Sequence, residues 1–290
     1  MSVLSRQAER VSRRVHRLPR LELETTLSAA VLALFLLVAL AAPILAPYDP
    51  HTFPGRPLER PGAAHPLGTN DAGQDILSEL IYGARISLAV GLGAALGTVA
   101  LGLLVGAVAG YAGGLLDTLL MRVVDVMLTL PRLPLLILLA AFLGSGLART
   151  ITIISLLFWP ATARAIRAQV QSVRQRGYIK MARHFGGGAG YVLRRHILPA
   201  VAPLIASGLV AAAGRAVVME AGLAFLGLGD PTAKSWGLMM RFALNLPGLL
   251  LTDRWLWWLL PPGLSITLLI LALTYLGIGL ERRLHPRLRR

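Results

Sequence analysis

Three stretches of this chain, 27–46, 86–112 and 257–280, contain no charged residue at all, and each is 20 residues or longer. A helix needs about 20 apolar residues to cross the roughly 30 Å of hydrocarbon in a bilayer. Three more stretches, 119–143, 147–163 and 200–226, are apolar with one to three charges each. In lipid every backbone N–H and C=O must be satisfied within the segment or by a closed barrel, and runs of this length select helices. The chain therefore reads as an all-α integral membrane protein of about six transmembrane helices. Composition agrees: 15% of residues are charged, against about a quarter in soluble domains, and mean hydropathy is +0.65.

The polar remainder falls into segments with distinct charge. Residues 1–26 carry Arg6, Arg10, Arg13, Arg14, Arg17 and Arg20 and read as a cytoplasmic segment before a first transmembrane helix at 27–46. An Arg-rich flank before an apolar run is also a signal-peptide pattern, but this run exceeds the usual 7–15 residues, which favours an uncleaved helix. Residues 47–85 hold Pro, Gly and five acids and read as an extracytoplasmic loop with a short helix near its end. Residues 86–280 form the core, with five transmembrane helices and a long polar interruption at 164–198. Pro131 and Pro134 interrupt the span at 119–143. Residues 227–256 read as a second external loop, and 281–290 as a basic cytoplasmic tail.

Dense arginine in 1–26, 164–198 and 281–290 places these segments in the cytoplasm by the positive-inside rule, and six spans put them on one side. Both termini are then cytoplasmic. Trp236, Trp255, Trp257 and Trp258 are expected at the outer interface, where amphipathic rings collect. The second span carries Gly91, Gly93, Gly97, Gly102, Gly106 and Gly110, a pattern that lets helix backbones approach closely.

Several function classes are excluded. The net charge is +15, but the basic residues lie in short segments between apolar runs, with no polar domain to hold a nucleic-acid face. There is no cysteine, hence no disulfide or thiolate metal site. The only lysines, Lys180 and Lys234, do not follow glycine, so the chain has no P-loop Gly-Lys pair. No His-x-x-x-His pair and no Gly-x-Ser-x-Gly elbow occur. Nothing suggests an enzyme, and if ATP drives this protein a partner must hydrolyse it.

The segment Tyr178-Ile-Lys-Met-Ala-Arg-His-Phe-Gly186 is the most informative. Tyr178, Met181, Ala182 and Phe185 recur at helical spacing and predict a short amphipathic helix. Gly186-Gly187-Gly188 breaks it. A second short helix is expected to run to Leu198 and stop before Pro199. Two short helices around a glycine corner make a knob that fits a groove on a soluble partner.

Here the chain resembles the EAA loop of binding-protein-dependent ABC importer permeases, whose pattern is Glu-Ala-Ala, three residues, Gly, then about ten residues and Ile-x-Leu-Pro or a near variant. Ala182, Gly186, Ile197, Leu198 and Pro199 match, and Lys180 and Met181 stand where the pattern has Glu and Ala. Further segments resemble the dipeptide, oligopeptide and nickel permeases: His65-Pro-Leu-Gly-Thr-Asn-Asp71, Ile81-Tyr-Gly-Ala-Arg-Ile-Ser-Leu88, Gly110-Tyr111-x-Gly-Gly114, Met121-Arg-x-x-Asp125, Glu220-Ala-Gly-Leu-x-Phe-Leu-Gly-Leu-Gly229 and Ser235-Trp-Gly237. The resemblance covers roughly residues 25–289 and is nearest to the C-type subunit.

The resemblance implies the type I ABC importer permease fold and a non-catalytic subunit in the cell inner membrane. It implies a homologous B-type permease as partner, two ATPase subunits and an extracytoplasmic solute-binding protein. It implies no cofactor in this chain, ATP and magnesium being bound by the ATPase partners. Tyr178, Lys180, Met181, Ala182, Phe185, Gly186, Ile197 and Pro199 are then expected to couple the ATPase to the membrane helices, and the solute is expected to be a di- or oligopeptide. Nickel or another small solute is the alternative within that machinery. An ATP-independent secondary transporter is a rival that gives no reason for the knob, and a membrane scaffold is another, which predicts no transport loss on mutation of Gly186 or Ala182.

Charges at membrane depth cost about 2.5–3.5 kcal/mol on insertion scales and usually face a cavity or a partner. Glu220 is expected to line the pathway or a gate, or else to make a structural pair. Arg215 is five residues from Glu220, about 140° around a helix, so the two are not natural partners. Arg215 can attract a peptide carboxylate or pair with an acid on another helix or subunit, and pairing is favoured. Arg122 and Asp125 have the i,i+3 spacing of a same-helix pair, and Asp125 is a further candidate for the pathway. His65 and Asp71 are expected to shape the surface that meets the binding protein, unless they only cap turns.

Overall fold

The computed structural model describes residues 18–284, with side chains from residue 23 to residue 282. Arg6, Arg10, Arg13, Arg14, Arg17, Arg287, Arg289 and Arg290 lie outside the described residues, and so do the side chains of Arg20 and Arg283. No strand occurs among the described residues beyond a single bridge between Thr69 and Asp75. Five helices are long and apolar enough to cross a membrane, and a sixth span is counted if one sharply bent helix pair is taken as one.

Helix α1 (Leu18–Leu40) starts before residue 27 and ends earlier than expected. Ala41 breaks it from the one-turn α2 (Ala42–Leu45), whose Pro43 sits in a first turn, where its missing N–H costs nothing. Helix α3 (Ile76–Ala112) is continuous over 37 residues, about 55 Å long. The short helix expected at the end of the loop is the first turns of α3. Asp75 caps it, its carboxylate accepting from the Ser78 N–H at 2.8 Å.

The third apolar stretch is broken. Helices α4 (Gly114–Thr129) and α5 (Arg132–Leu143) meet at 88°. Pro131 makes the break: it pushes the preceding Leu130 into extended backbone, and both residues leave the helix. Pro134, expected to interrupt as well, lies in the first turn of α5 and is tolerated there.

Helix α6 (Leu147–Arg174) runs through Pro160 and past the expected end of its span. Its second half is amphipathic, burying Ile166, Val170 and Val173, with Arg164 exposed and Arg167 and Arg174 half-buried. Two short helices follow, α7 (Gly177–His184) and α8 (Ala189–Val192). The chain does not stop before Pro199. A π turn over Leu193–Ile197 leads directly into α9 (Leu198–Phe225). Pro199 and Pro203 lack the N–H that regular i→i−4 bonding needs, and the wide turn just before them absorbs the mismatch.

Residues 227–256 are not simply a loop. They contain α10 (Trp236–Asn245), capped by Ser235, and a 3₁₀ turn over Leu249–Leu251. Helix α11 (Trp255–Trp258) and the long α12 (Leu260–Leu284) complete the chain. Trp236, Trp257 and Trp258 are buried inside the protein, not spread at a membrane interface. Trp236 is held by its indole N–H donating to the Leu80 carbonyl at 2.9 Å and fills the space left by Gly83.

The glycine-rich helix is the centre of the fold, and α6 packs along most of it. A Cβ on Gly93 would lie 2.9 Å from Ile151, on Gly102 2.7 Å from Thr162, and on Gly110 2.9 Å from Val170. Gly91 faces the other neighbour, with Val217 of α9 at 2.6 Å. Helix α3 is thus clasped between α6 and α9, while α1 lies outermost against α12 and α3.

Candidate functional site

The knob predicted at 178–198 exists. Helix α7 is pinned by one residue, Ile179, which is wholly buried among Val173, Val192 and Ile197. Its corner is a Schellman motif: the Gly187 N–H donates to the Ala182 carbonyl at 2.9 Å and the Gly186 N–H to the Arg183 carbonyl at 3.0 Å. This geometry requires Gly186 at φ +86°, a left-handed conformation that glycine adopts without strain. A Cβ on Gly187 would press to 2.6 Å from the same Ala182 oxygen.

Tyr178, Met181 and Phe185 point outward, and Phe185 is 83% exposed. The apolar stripe expected on α7 therefore faces away from the protein, and Ala182 is half-buried at its edge. Tyr178 and Tyr191 flank His196, with ring centroids 5.9 and 5.6 Å from it. Lys180, Arg176, Arg194 and Arg195 form an exposed basic rim. Ile197 is buried behind the knob, and Pro199 is exposed at the start of α9. Arg183 lies 4.8 Å from the centre of the Tyr111 ring, with Arg174 at 6.0 Å, so the end of α3 touches the knob through cation–π contacts.

Sequence reasoning did not single out Ile179, and it named Tyr111 only within a resembling motif, with no role. Ile179 had a signal: it is the lone apolar residue on the basic side of α7.

Two ion pairs join α4 to α6. Asp117 accepts from Arg167 Nε and Nη2 at 2.5 and 2.6 Å and from Gln171 at 3.1 Å. Asp125 pairs with Arg164. The same-helix pair of Arg122 with Asp125 does not form. Arg122 is exposed and makes no ion pair among the described residues.

Glu220 is buried inside the chain, accepting from Ser87 Oγ of α3 at 3.3 Å, with Ser235 at the start of α10 beside it. A cavity of about 20 Å³ beside it, reaching Thr150 and Asp230, has room for one water. Arg215 points elsewhere, is exposed, and makes no ion pair among the described residues. It lines a groove between α9 and α12 of about 520 Å³.

At the end opposite the knob a buried polar cluster ties loop to helix. His65 Nδ1 lies 2.9 Å from Asp75, and Lys234 Nζ donates to Glu79 at 2.6 Å and to Gln74 at 2.7 Å. Asn70 also donates to Glu79. His65 is buried and presents no surface, whereas Asp71 is exposed.

Residues 102–290 match the family described as binding-protein-dependent transport system inner membrane component. The chain is 35% identical over 266 residues to a protein described as a peptide permease of Brucella suis, covering 89% of this chain and 87% of that one. It is 35% identical over 268 residues to the dipeptide transport system permease protein of Bacillus subtilis, covering 90% and 82%. It is 37% identical over 266 residues to the di/tripeptide transport system permease protein of Pseudomonas aeruginosa, covering 88% and 86%. With its apolar helices, its knob and these relatives, the chain belongs to the family of inner-membrane components of binding-protein-dependent transport systems.

Proposed function

We propose that this chain is one of two pathway-forming permease subunits of an ATP-driven importer of short peptides. The observation that carries the reading is the knob: a rigid glycine corner that holds Tyr178, Met181 and Phe185 outward inside a basic rim. Exposed aromatic and Met side chains are what a groove on a partner buries as anchors. Peptides as solute are supported by the names of the relatives from Bacillus subtilis and Pseudomonas aeruginosa.

In this reading the knob and both termini face the cytoplasm and the 47–75 loop faces outward, where a solute-binding protein delivers its load. A homologous permease completes the pathway. Two ATPase subunits hold ATP and magnesium, and this chain holds neither. ATP closes the ATPase pair, the knobs move together, and the membrane helices open outward. Such a shift needs only a differential affinity of ATP for the two states. Tyr178, Met181 and Phe185 make the contact, Lys180 extends it electrostatically, and Ala182 with Gly186 sets its shape. Ile197 and Pro199 carry the movement into α9. Glu220 is a latch between α3, α9 and α10, and Asp125 holds α4 to α6.

The test is co-purification with the neighbouring gene products, followed by ATP hydrolysis of the complex. Phe185→Asp with Gly186→Pro removes an anchor and forbids the corner, and is expected to weaken ATPase association about tenfold or more. A chain that purifies alone and moves solute into liposomes without ATP defeats the reading.

A further inference from the structure

The groove between α9 and α12 has an unusual charge pattern. Of the side chains that line it only two are charged, Arg215 and Glu281, and neither makes an ion pair among the described residues. The rest of the lining is small or apolar, including Gly208, Ala211 and Gly214. Its volume of about 520 Å³ lies within the range of small-molecule sites, about 300–1,000 Å³.

The charges stand at opposite ends. Gly214 faces Leu273 and Val210 faces Gly277 across the two antiparallel helices, which sets Arg215 level with residue 272. From there to Glu281 is nine helical steps, roughly 13 Å of axis. Helical side chains lean toward their own N-terminus. Because α9 and α12 run oppositely, Arg215 and Glu281 lean toward each other, and the gap between their charged tips is shorter than that rise. An extended tripeptide spans about 10 Å.

Among the described residues no acid pairs with Arg215, Glu281 standing at the far end of the groove. There is no Asp or Glu between Asp125 and Glu220, and Glu220 is turned to Ser87 on the other side of α9. The charge nearest in effect is the second guanidinium of Arg132, at the break before α5, which is held over the Phe158 ring at 5.5 Å. Two guanidiniums in the membrane-spanning segments with no acid paired to them among the described residues call for a further anion.

We propose that this groove is a transit site for a short zwitterionic peptide, with Arg215 taking the terminal carboxylate, Glu281 the terminal ammonium, and the apolar wall the side chains. Arg132 adds positive potential at the carboxylate end. The proposal rests on the peptide-importer reading, and it places part of solute selection in the permease.

The experiment uses the assembled transporter, both permeases and the ATPases, in nanodiscs without the binding protein. Binding of trialanine is compared with binding of its C-terminal amide, for the unaltered complex and for Arg215→Gln, Arg215→Lys and Glu281→Gln. The free acid is expected to bind about tenfold or more tighter than the amide, the difference a charged hydrogen bond makes. Arg215→Gln is expected to remove that preference, Arg215→Lys to restore part of it, and Glu281→Gln to weaken both peptides alike. Equal binding of the two peptides, or binding of neither, overturns the proposal. So does an Arg215→Gln complex that loses the second permease, because Arg215 then pairs with an acid of that subunit. Uptake of trialanine by the whole importer is measured separately. If it is absent, the peptide-importer reading itself fails.

Discussion

Glu79 and Lys234 are 155 residues apart in the chain and 2.6 Å apart in space. Glu79 is 2% exposed and Lys234 12%, so removing one partner strands a charge. Lys234→Met is expected to destabilise the purified complex by about 3–5 kcal/mol, and Glu79→Gln in the same chain to recover much of that loss. Thermal denaturation of the single and double variants checks both. On the α4–α6 side, Asp117→Ala leaves Arg167 and Gln171 without their acceptor and is expected to cost about 1–3 kcal/mol by the same measurement. None of these partners was legible in the sequence. Short-range spacing suggested Arg122 for Asp125, but a neighbouring helix offers Arg164 in better reach, and only the fold brings the two helices together. The outward stripe of α7 was legible because helical period is local. The anchor Ile179 was not singled out, since one apolar residue on a basic face carries little weight until its pocket is known.

The elements divide in the same way. Glycine spacing in α3 announced close packing, and α6 supplies the surface that fits it. Gly106 shows how tight the fit is: a Cβ there would lie 3.0 Å from the Cβ of Ile166 and press on the Ala163 carbonyl. Gly106→Leu is expected to cost at least about 1–3 kcal/mol through overpacking, read as a lower yield and melting temperature of the folded complex. Pro131 was legible as an interruption, but its 88° bend was not, because the angle depends on what α5 packs against. Helix α10 was missed in a segment rich in turn residues. Its formation follows from burying Trp236 against Gly83, a contact over a long sequence separation. The tryptophans of that region were read as interfacial, and three of them are core residues instead. The π turn ahead of Pro199 replaces the stop that proline alone suggests.

For the whole molecule, span number and class followed from hydropathy, because a bilayer imposes length and helicity before any side chain is considered. The sidedness proposed above has a direct check that this chain makes easy, since it has no cysteine. Single cysteines at Asp71 and Lys180, both exposed, are expected to react with a membrane-impermeant thiol reagent from opposite sides, Asp71→Cys in intact cells and Lys180→Cys only after the membrane is opened. The glycine clasp also has a mechanical consequence. With no slack between α3 and α6, the two tilt as one lever, about 48 Å from the polar cluster at Glu79 to the cation–π contact at Tyr111. A rotation of about 10° at the knob end swings the far end by roughly 8 Å over that length. A small stroke below is thus enough to displace the opposite surface by most of the width of a helix.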